Sequence, residues 1–320
     1  MVKKKNPLKS FGFFLLILSI VAFSIFPFVQ MLSLSLKYQW DWGNPSLIPR
    51  KINLEAYKEL LNIGQDLKNV PESVLTLLDE TPELTSQQRA AILSKYQSTG
   101  EVFPFLRYFG NSLLLSLSAA LLSVCLAIFG AYSFSRLRYR GRSVIQRGVL
   151  FVYMFGGILL LIPLYRLFAS MGLLSTPTGT FVGLLVVYMV QTLPVSLYML
   201  GNYFRTVPFS LEEAAMLEGA SRMGIIMKII IPLSASAIAT VYIYSFMIAW
   251  NEYLFASVFL KNYKMLYTLP IGLKTLFVSK NAIWDRIMSA SMLTAVPVMA
   301  LFMSIQNKIT GGMAAGGVKE

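Results

Sequence analysis

The chain has 320 residues, of which 56% are hydrophobic and 13% are charged, and its mean hydropathy is +0.62. Soluble globular domains carry about 25% charged residues, so this composition excludes an ordinary soluble domain and indicates a protein surrounded mostly by lipid. The net charge of +13 fits either nucleic acid or basic loops beside an anionic membrane surface. A single cysteine excludes an intrachain disulfide, and the lack of histidine removes an essential member of the common zinc, haem and Ser-His-Asp sites.

Six stretches of the chain are apolar for long enough to cross a bilayer. A helix needs about 20 apolar residues to span the hydrocarbon core, where every backbone polar group must be hydrogen-bonded. The predicted spans are residues 11–36, 112–134, 149–170, 181–203, 229–250 and 287–306. The sequence therefore predicts an all-α, polytopic membrane protein with six transmembrane helices.

The first span follows several lysines, so a cleaved signal peptide is an alternative interpretation. Its apolar run is longer than the usual signal core of about 7–15 residues, and no Ala-x-Ala-like site closes it. These features favour an uncleaved membrane anchor.

The distribution of basic residues predicts the orientation, because cytoplasmic loops are enriched in Lys and Arg. The outer connection 171–180 has no basic residue, although the outer segment 251–285 has four lysines. With residues 1–10 in the cytoplasm, the basic residues of the inner segments are Lys3, Lys4, Lys5, Lys9, Arg136, Arg138, Arg140, Arg142, Arg147, Arg205, Arg222, Lys228, Lys308 and Lys319. Both termini, 1–10 and 307–320, are predicted to be cytoplasmic, and this sidedness explains the net charge without nucleic acid.

The long segment 37–111 is predicted to be an extracytoplasmic loop with an inserted helical cap. Apolar residues recur at helical spacing within 53–62, residues 71–78 fit a short helix, and Thr85 with Gln88 forms a capping-box pattern.

The cytoplasmic link 205–228 is predicted to contain two short helices. Ser210 can cap a helix in which Glu213 is the third residue, Gly219 can end it in a left-handed conformation, and Ser221 can open the next. Ala214 and Ala215 are small enough to let another surface approach closely. Two interpretations remain: a docking surface, or a simple connector in which Glu213 only caps.

Several motifs of this chain resemble those of ABC-importer permeases. Glu213-Ala214-Ala215, followed by Gly219 and by Ile231-Pro232, is similar to the E-A-A-x(3)-G-x(9)-I-x-L-P signature, with Ile230-Ile231-Pro232 departing from its end. The other matching segments are Leu47-Ile48-Pro49 with Asn53-Leu54-Glu55-Ala56-Tyr57, Phe109-Gly110-Asn111-Ser112, Trp250-Asn251-Glu252-Tyr253-Leu254-Phe255 and the tail 311–319. Together they resemble carbohydrate-uptake permeases of the maltose type, second subunit; residues 64–101 look like an insertion.

This resemblance implies a coupling helix that docks on a cytoplasmic ATPase and a C-terminal tail that also reaches the ATPases. The coupling residues would be Glu212, Glu213, Ala214, Ala215 and Gly219, and the tail residues Gly311, Gly312, Gly316, Gly317 and Lys319. A disordered C-terminus is the alternative for the tail. The chain would be a non-catalytic subunit, since Ile225 and Ile226 stand where a P-loop requires Lys and Ser/Thr.

The implied assembly contains a second homologous permease, two ATPase subunits that bind ATP and Mg²⁺, and an extracytoplasmic substrate-binding protein. It would lie in a bacterial or archaeal inner membrane. ATPase closure would switch the path between inward-facing and outward-facing states. This chain itself is expected to bind no cofactor and no metal.

Polar residues within the spans are candidates for the substrate path, because such groups are costly in lipid and usually face the bundle interior. The candidates are Gln191, Thr240, Tyr244 and Ser245, with Asn251 and Glu252 as candidate contacts to the binding protein. Hydrogen bonding between helices is the alternative role for the first four. A secondary transporter acting without an ATPase and a receptor-like scaffold are the alternative functions, although the predicted spans contain no carboxylate for ion coupling.

Overall fold

A computed structural model describes residues 7–63, 103–154, 157–278 and 284–316. Every regular element within these ranges is helical, which confirms the all-α prediction. The predicted cap helices at 71–78 and after Thr85 lie outside the described residues. The α-helices within these ranges are α1 Pro7–Ser35, α2 Glu55–Leu60, α3 Phe105–Arg136, α4 Arg142–Met154, α5 Gly157–Ser170, α6 Pro177–Phe204, α7 Phe209–Leu217, α8 Arg222–Leu233, α9 Ala235–Trp250, α10 Leu254–Phe259, α11 Leu269–Val278 and α12 Trp284–Gly316. Short 3₁₀ helices lie at Gln39–Asp41, Leu173–Ser175 and Lys264–Leu266.

Four of these helices are long and apolar enough to span a bilayer on their own, namely α1, α3, α6 and α12. They correspond to the first, second, fourth and sixth predicted spans. The fifth predicted span is a bent pair, because α8 and α9 meet at an angle of 81°. A π-helical turn at Ile226–Ile230 and Pro232, which has no N–H to donate, account for the break before Ala235. The third predicted span is divided between α4 and α5.

The described residues within 1–106 and 273–293 form one compact unit. Hydrogen bonds within its outer loop stabilise the loop. Lys37 Nζ donates hydrogen bonds to the carbonyls of Asn44 and Ser46, at 2.8 and 2.6 Å. Asn53 Nδ2 donates to Asp285 Oδ2 at 3.1 Å, and Arg286 forms an ion pair with Glu59 on α2. The Asn53–Asp285 hydrogen bond and the Arg286–Glu59 ion pair hold α2, the helix predicted within 53–62, against the beginning of α12.

The described residues within 107–272 and 294–316 form the second compact unit. Its core contains one cluster where α3, α6, α8 and α9 pack together. A second cluster has buried residues from α3, α6, α9, α10 and α11, and α5 packs against it. Hydroxyls also join three helices, since Ser196 Oγ on α6 lies 3.0 Å from Ser245 Oγ on α9 and 3.5 Å from Ser123 Oγ on α3. Small polar residues of this kind allow close helix packing in lipid. The second unit holds both candidate functional regions.

Candidate functional site

Helix α7 begins directly after a proline. Pro208 is its N-cap residue, with extended backbone and no side-chain capping bond. Ser210 therefore lies inside the first turn, and the predicted Ser210 cap with Glu213 at the third position is wrong. With Pro208 as the N-cap residue, the helix starts at Phe209, two residues earlier than a serine cap at Ser210 would start it.

The end of α7 follows the prediction. Gly219 has φ +83°, the left-handed conformation that glycine adopts without strain. Its N–H donates to the Met216 carbonyl at 3.0 Å, and the Ala220 N–H donates to the Ala215 carbonyl at 2.9 Å. This pair of bonds is a Schellman motif, which terminates a helix sharply. Ser221 then caps α8, because its Oγ accepts from the Gly224 N–H at 3.2 Å.

Glu212 points into the protein and is fully buried. Its Oε1 lies 2.7 Å from Nε of Arg136, whose side chain is 9% exposed, and its Oε2 accepts a hydrogen bond from the Tyr132 hydroxyl at 3.0 Å. Tyr132 and Arg136 are four residues apart in the last turns of α3, so they share one helix face. A functional role for these two residues was not predicted from the sequence, although the spacing of a hydroxyl and a cation on one helix face was an available signal.

Arg136 also bonds the loop that leads into α7. Its Nη2 donates to the carbonyls of Phe204 and Val207 at 2.7 and 2.6 Å. The guanidinium carbon lies 5.7 Å from the centre of the Phe209 ring, at cation–π distance. Carbonyls at a helix C-terminus have no partner within the helix, so Arg136 supplies one for the end of α6.

The other residues of α7 divide between an inner and an outer face. Ala215 packs against the core cluster that contains Phe204 and Ile225, whereas Glu213 and Ala214 are exposed. Leu217 is 91% exposed, an unusual state for a large apolar side chain. Glu213, Ala214 and Leu217 form what we call the outer face of α7.

A cavity of about 240 Å³ lies between α4, α5, α6, α9 and α10. Its walls are mainly apolar, with polar groups from Tyr153, Gln191 and Tyr244. Gly157 opens onto it, since a Cβ at this position would lie 3.6 Å from Gln191 Nε2 and 3.6 Å from the Phe255 ring. The cavity thus brings together two of the four predicted path residues, Gln191 and Tyr244.

The other two predicted path residues do not line this cavity. Thr240 Oγ1 donates to the Ser236 carbonyl of its own helix at 2.9 Å. Ser245 is fully buried and bonds Ser196. Ser245 thus makes a hydrogen bond between helices, as the alternative interpretation expects, whereas the bond of Thr240 lies within α9.

The two candidate contacts for a binding protein differ in exposure. Asn251 is exposed, and its side-chain amide donates to the Met247 carbonyl at 2.8 Å. The Glu252 carboxylate accepts hydrogen bonds from the N–H groups of Phe255 and Ala256 at 2.8 and 3.1 Å. Glu252 therefore caps α10 from within the chain.

The predicted tail begins inside a helix, because α12 continues through Gly311 and Gly312 to Gly316. Gly317 and Lys319 lie outside the described residues. Among the residues that the structure describes, no three His, Cys, Asp or Glu side chains are grouped so that they could hold a metal.

Residues 119–314 match the family described as "Binding-protein-dependent transport system inner membrane component". The chain belongs to this family. It is 36% identical over 321 residues to the inner membrane ABC transporter permease protein YcjP of Escherichia coli K12, covering 100% of both chains. It is 31% identical to the maltose/maltodextrin permease MalG of Yersinia pestis, covering 99% of this chain and 95% of that one. The sulfoquinovosyl glycerol permease SmoH of Agrobacterium fabrum is 32% identical over 72% of this chain and 79% of its own.

A solved structure agrees with the fold. A chain of a bacterial ABC transporter involved in the import of the acidic polysaccharide alginate superposes with a TM-score of 0.70 and 20% identity, covering 96% of this chain and 99% of that one. The protein is therefore a multi-pass membrane permease subunit of an ABC importer, and ATP hydrolysis belongs to another chain. The family supports this function over the alternative of a secondary transporter that acts without an ATPase.

Proposed function

We propose that this chain is the carbohydrate-conducting permease of an ATP-driven importer in the inner membrane of a bacterium or archaeon. Relatives named for maltose/maltodextrin and for sulfoquinovosyl glycerol support a sugar as the substrate. A second homologous permease pairs with it, and two ATPase subunits bind ATP and Mg²⁺ at its cytoplasmic side. A related alginate transporter in complex with a pentasaccharide-bound periplasmic protein supports delivery by an extracytoplasmic binding protein.

The observation that carries this proposal is the outer face of α7. A short helix in this family, held firmly on its inner side and presenting a carboxylate, a small residue and an exposed leucine, suits docking into a groove of a partner. Glu213 then pairs with a basic group of the ATPase, Ala214 allows close approach, and Leu217 fills an apolar pocket. Gly219 ends the helix so that this face stays accessible, and Ala215 and Glu212 face inward.

The basic residues support an orientation that puts α7 in the cytoplasm, together with both termini. In this orientation the glycine-rich end of α12, including Gly311, Gly312 and Gly316, extends toward the ATPases, followed by Gly317 and Lys319. Asn251 lies on the opposite side, where it contacts the binding protein beside the capping residue Glu252.

The cavity is the proposed part of the sugar path in this subunit. Tyr and Gln side chains donate and accept hydrogen bonds, which matches hydroxyl groups, and aromatic rings pack against the apolar faces of sugars. We assign Gln191 and Tyr244 to the path on this ground. Thr240 and Ser245 belong to helix packing.

The proposal is tested with the tagged chain purified from its native membranes together with its associated subunits. A photo-crosslinking amino acid at Leu217 should capture an ATPase subunit, whereas the same group at Leu254 on α10, which is also exposed, should not. The purified complex should hydrolyse ATP, and vesicles containing it should take up at least one probe among maltose, sulfoquinovosyl glycerol and an alginate pentasaccharide. Capture of the ATPase at Leu254 instead of Leu217, or a complex without ATP hydrolysis, contradicts the proposal.

A further inference from the structure

We propose that Glu212 acts inside the chain rather than on the ATPase. With Arg136 and Tyr132 it forms a buried joint, defined by these three residues, which makes α7 move as one body with the ends of α3 and α6. This inference rests on the proposed function, since it assumes that α7 receives a push or pull from an ATPase. It changes the role of Glu212, which the EAA resemblance places among the docking residues.

Burial and pairing argue for an internal role. A carboxylate that is fully buried against a guanidinium and a phenol has no surface accessible to a partner protein. A buried ion pair is also a weak source of stability, because desolvation offsets most of the attraction between the charges. The hydrogen bond from Tyr132 to Glu212 and those from Arg136 Nη2 to the Phe204 and Val207 carbonyls are directional instead, and they fix the position of one helix relative to another. Glu213, the next residue, is exposed and available to a partner.

The connectivity of Arg136 shows what the joint connects. One guanidinium bonds Glu212 on α7, the Phe204 carbonyl at the end of α6 and the Val207 carbonyl in the connection between them. Arg136 itself belongs to α3. Three segments therefore meet at one planar group whose donors have a fixed geometry.

The backbone alone does not provide this rigidity. Residues 205–208 connect α6 to α7, and residues 218–221 connect α7 to α8; both connections are non-helical. A helix suspended between two such connections can swivel when it is pushed. The joint removes this freedom at the N-terminal end of α7, and displacement of α7 is then passed to α3 and α6.

The rigidity is measurable by double electron–electron resonance within the full complex. Cys125 is exposed on α3, and Ser210 is exposed on α7, so a Ser210→Cys variant carries two label sites. We expect one narrow distance distribution, unchanged between the nucleotide-free complex and the complex trapped with Mg-ATP and vanadate. Glu212→Gln should broaden it. A wild-type distance that shifts on trapping shows that α7 moves independently of α3 and overturns the proposal.

The functional consequence is tested by comparing Glu212→Gln with Glu213→Gln. Glu212→Gln should retain its ATPase subunits and its basal ATP hydrolysis, while uptake per ATP falls by about tenfold, within the usual range of coupling between sites. Uptake is measured with whichever probe sugar the wild-type complex transports. Glu213→Gln should show the opposite pattern, with weaker retention of the ATPase and little change in uptake per ATP. Loss of the ATPase in Glu212→Gln to the same degree as in Glu213→Gln would assign Glu212 to docking and overturn the joint.

A second variant covers the case in which Glu212→Gln does not insert. The double variant Arg136→Met and Glu212→Met replaces the buried pair by apolar residues, a change that buried ion pairs often tolerate in folding. This variant should assemble with the ATPases and hydrolyse ATP with reduced uptake per ATP. Full transport by this variant would refute the proposed role of the joint. A wild-type complex that contains no ATPase would refute the proposed function instead, so the two failures are distinguishable.

Discussion

The two functional regions of the second unit are built in opposite ways. The region around α7 depends on a buried ion pair between a carboxylate and a guanidinium and on hydrogen bonds from that guanidinium to backbone carbonyls. The cavity around Gly157 is lined mainly by apolar side chains and has only a few polar groups. A part that transmits force needs one fixed geometry, whereas a part through which a polar ligand passes must hold it weakly. Substitutions should therefore act on the two regions through different mechanisms.

The largest effect is expected at Gly219. Proline cannot adopt φ +83°, and it lacks the N–H that bonds the Met216 carbonyl. Gly219→Pro should reduce uptake to background while the chain still inserts into the membrane, as measured by uptake in vesicles and by surface labelling. Gly219→Asn is the matched control, since asparagine tolerates the left-handed region, and it should keep most of the activity. Normal uptake by the proline variant would reduce the 205–228 segment to a connector.

The cavity should be sensitive to added volume. Gly157→Leu places a side chain against Gln191 and Phe255, where even a Cβ is already in van der Waals contact. Uptake should fall by about tenfold, which corresponds to roughly 1.4 kcal/mol of lost binding or passage, while ATPase retention stays unchanged. Gly148→Leu on α4 is the control, because no atom lies within 4 Å of a Cβ there. Equal losses in both variants would point to membrane insertion rather than to the cavity.

Substitutions on the outer face of α7 should weaken binding of the ATPase rather than passage of the sugar. Leu217→Ala removes an apolar side chain that is 91% exposed in the isolated chain. Burial of such a side chain in a partner contributes about 1.5–3 kcal/mol, so ATPase affinity should fall by roughly tenfold or more. Affinity is measured by titrating purified ATPase onto the permease pair in nanodiscs. Leu254→Ala, an exposed leucine on α10, should leave it unchanged.

The sequence predicted the parts of this protein that follow local rules. Apolar runs predicted the long helices α1, α3, α6 and α12, and one glycine predicted the end of α7, because each depends on neighbouring residues only. The bend between α8 and α9 was missed, since hydropathy does not detect a π-helical turn. The burial of Glu212 was missed for another reason. Its partners Tyr132 and Arg136 are distant in sequence, and only the packing of α3 against α7 brings them to it.

The smallest effect is expected at Ser245, which does not line the cavity of the proposed sugar path. Ser245 bonds Ser196 in a fully buried position, away from the cavity that Tyr244 lines. Hydrogen bonds between membrane helices contribute about 0.6 kcal/mol on average, so Ser245→Ala should lower thermal stability slightly and leave uptake unchanged. Tyr244→Phe, one residue earlier, removes a hydroxyl from the cavity wall and should lower uptake without a loss of stability. Two adjacent positions on α9 would then differ in role, one in helix packing and the other in sugar passage. A greater loss of uptake in Ser245→Ala than in Tyr244→Phe would instead place the sugar path beside the Ser196–Ser245 hydrogen bond.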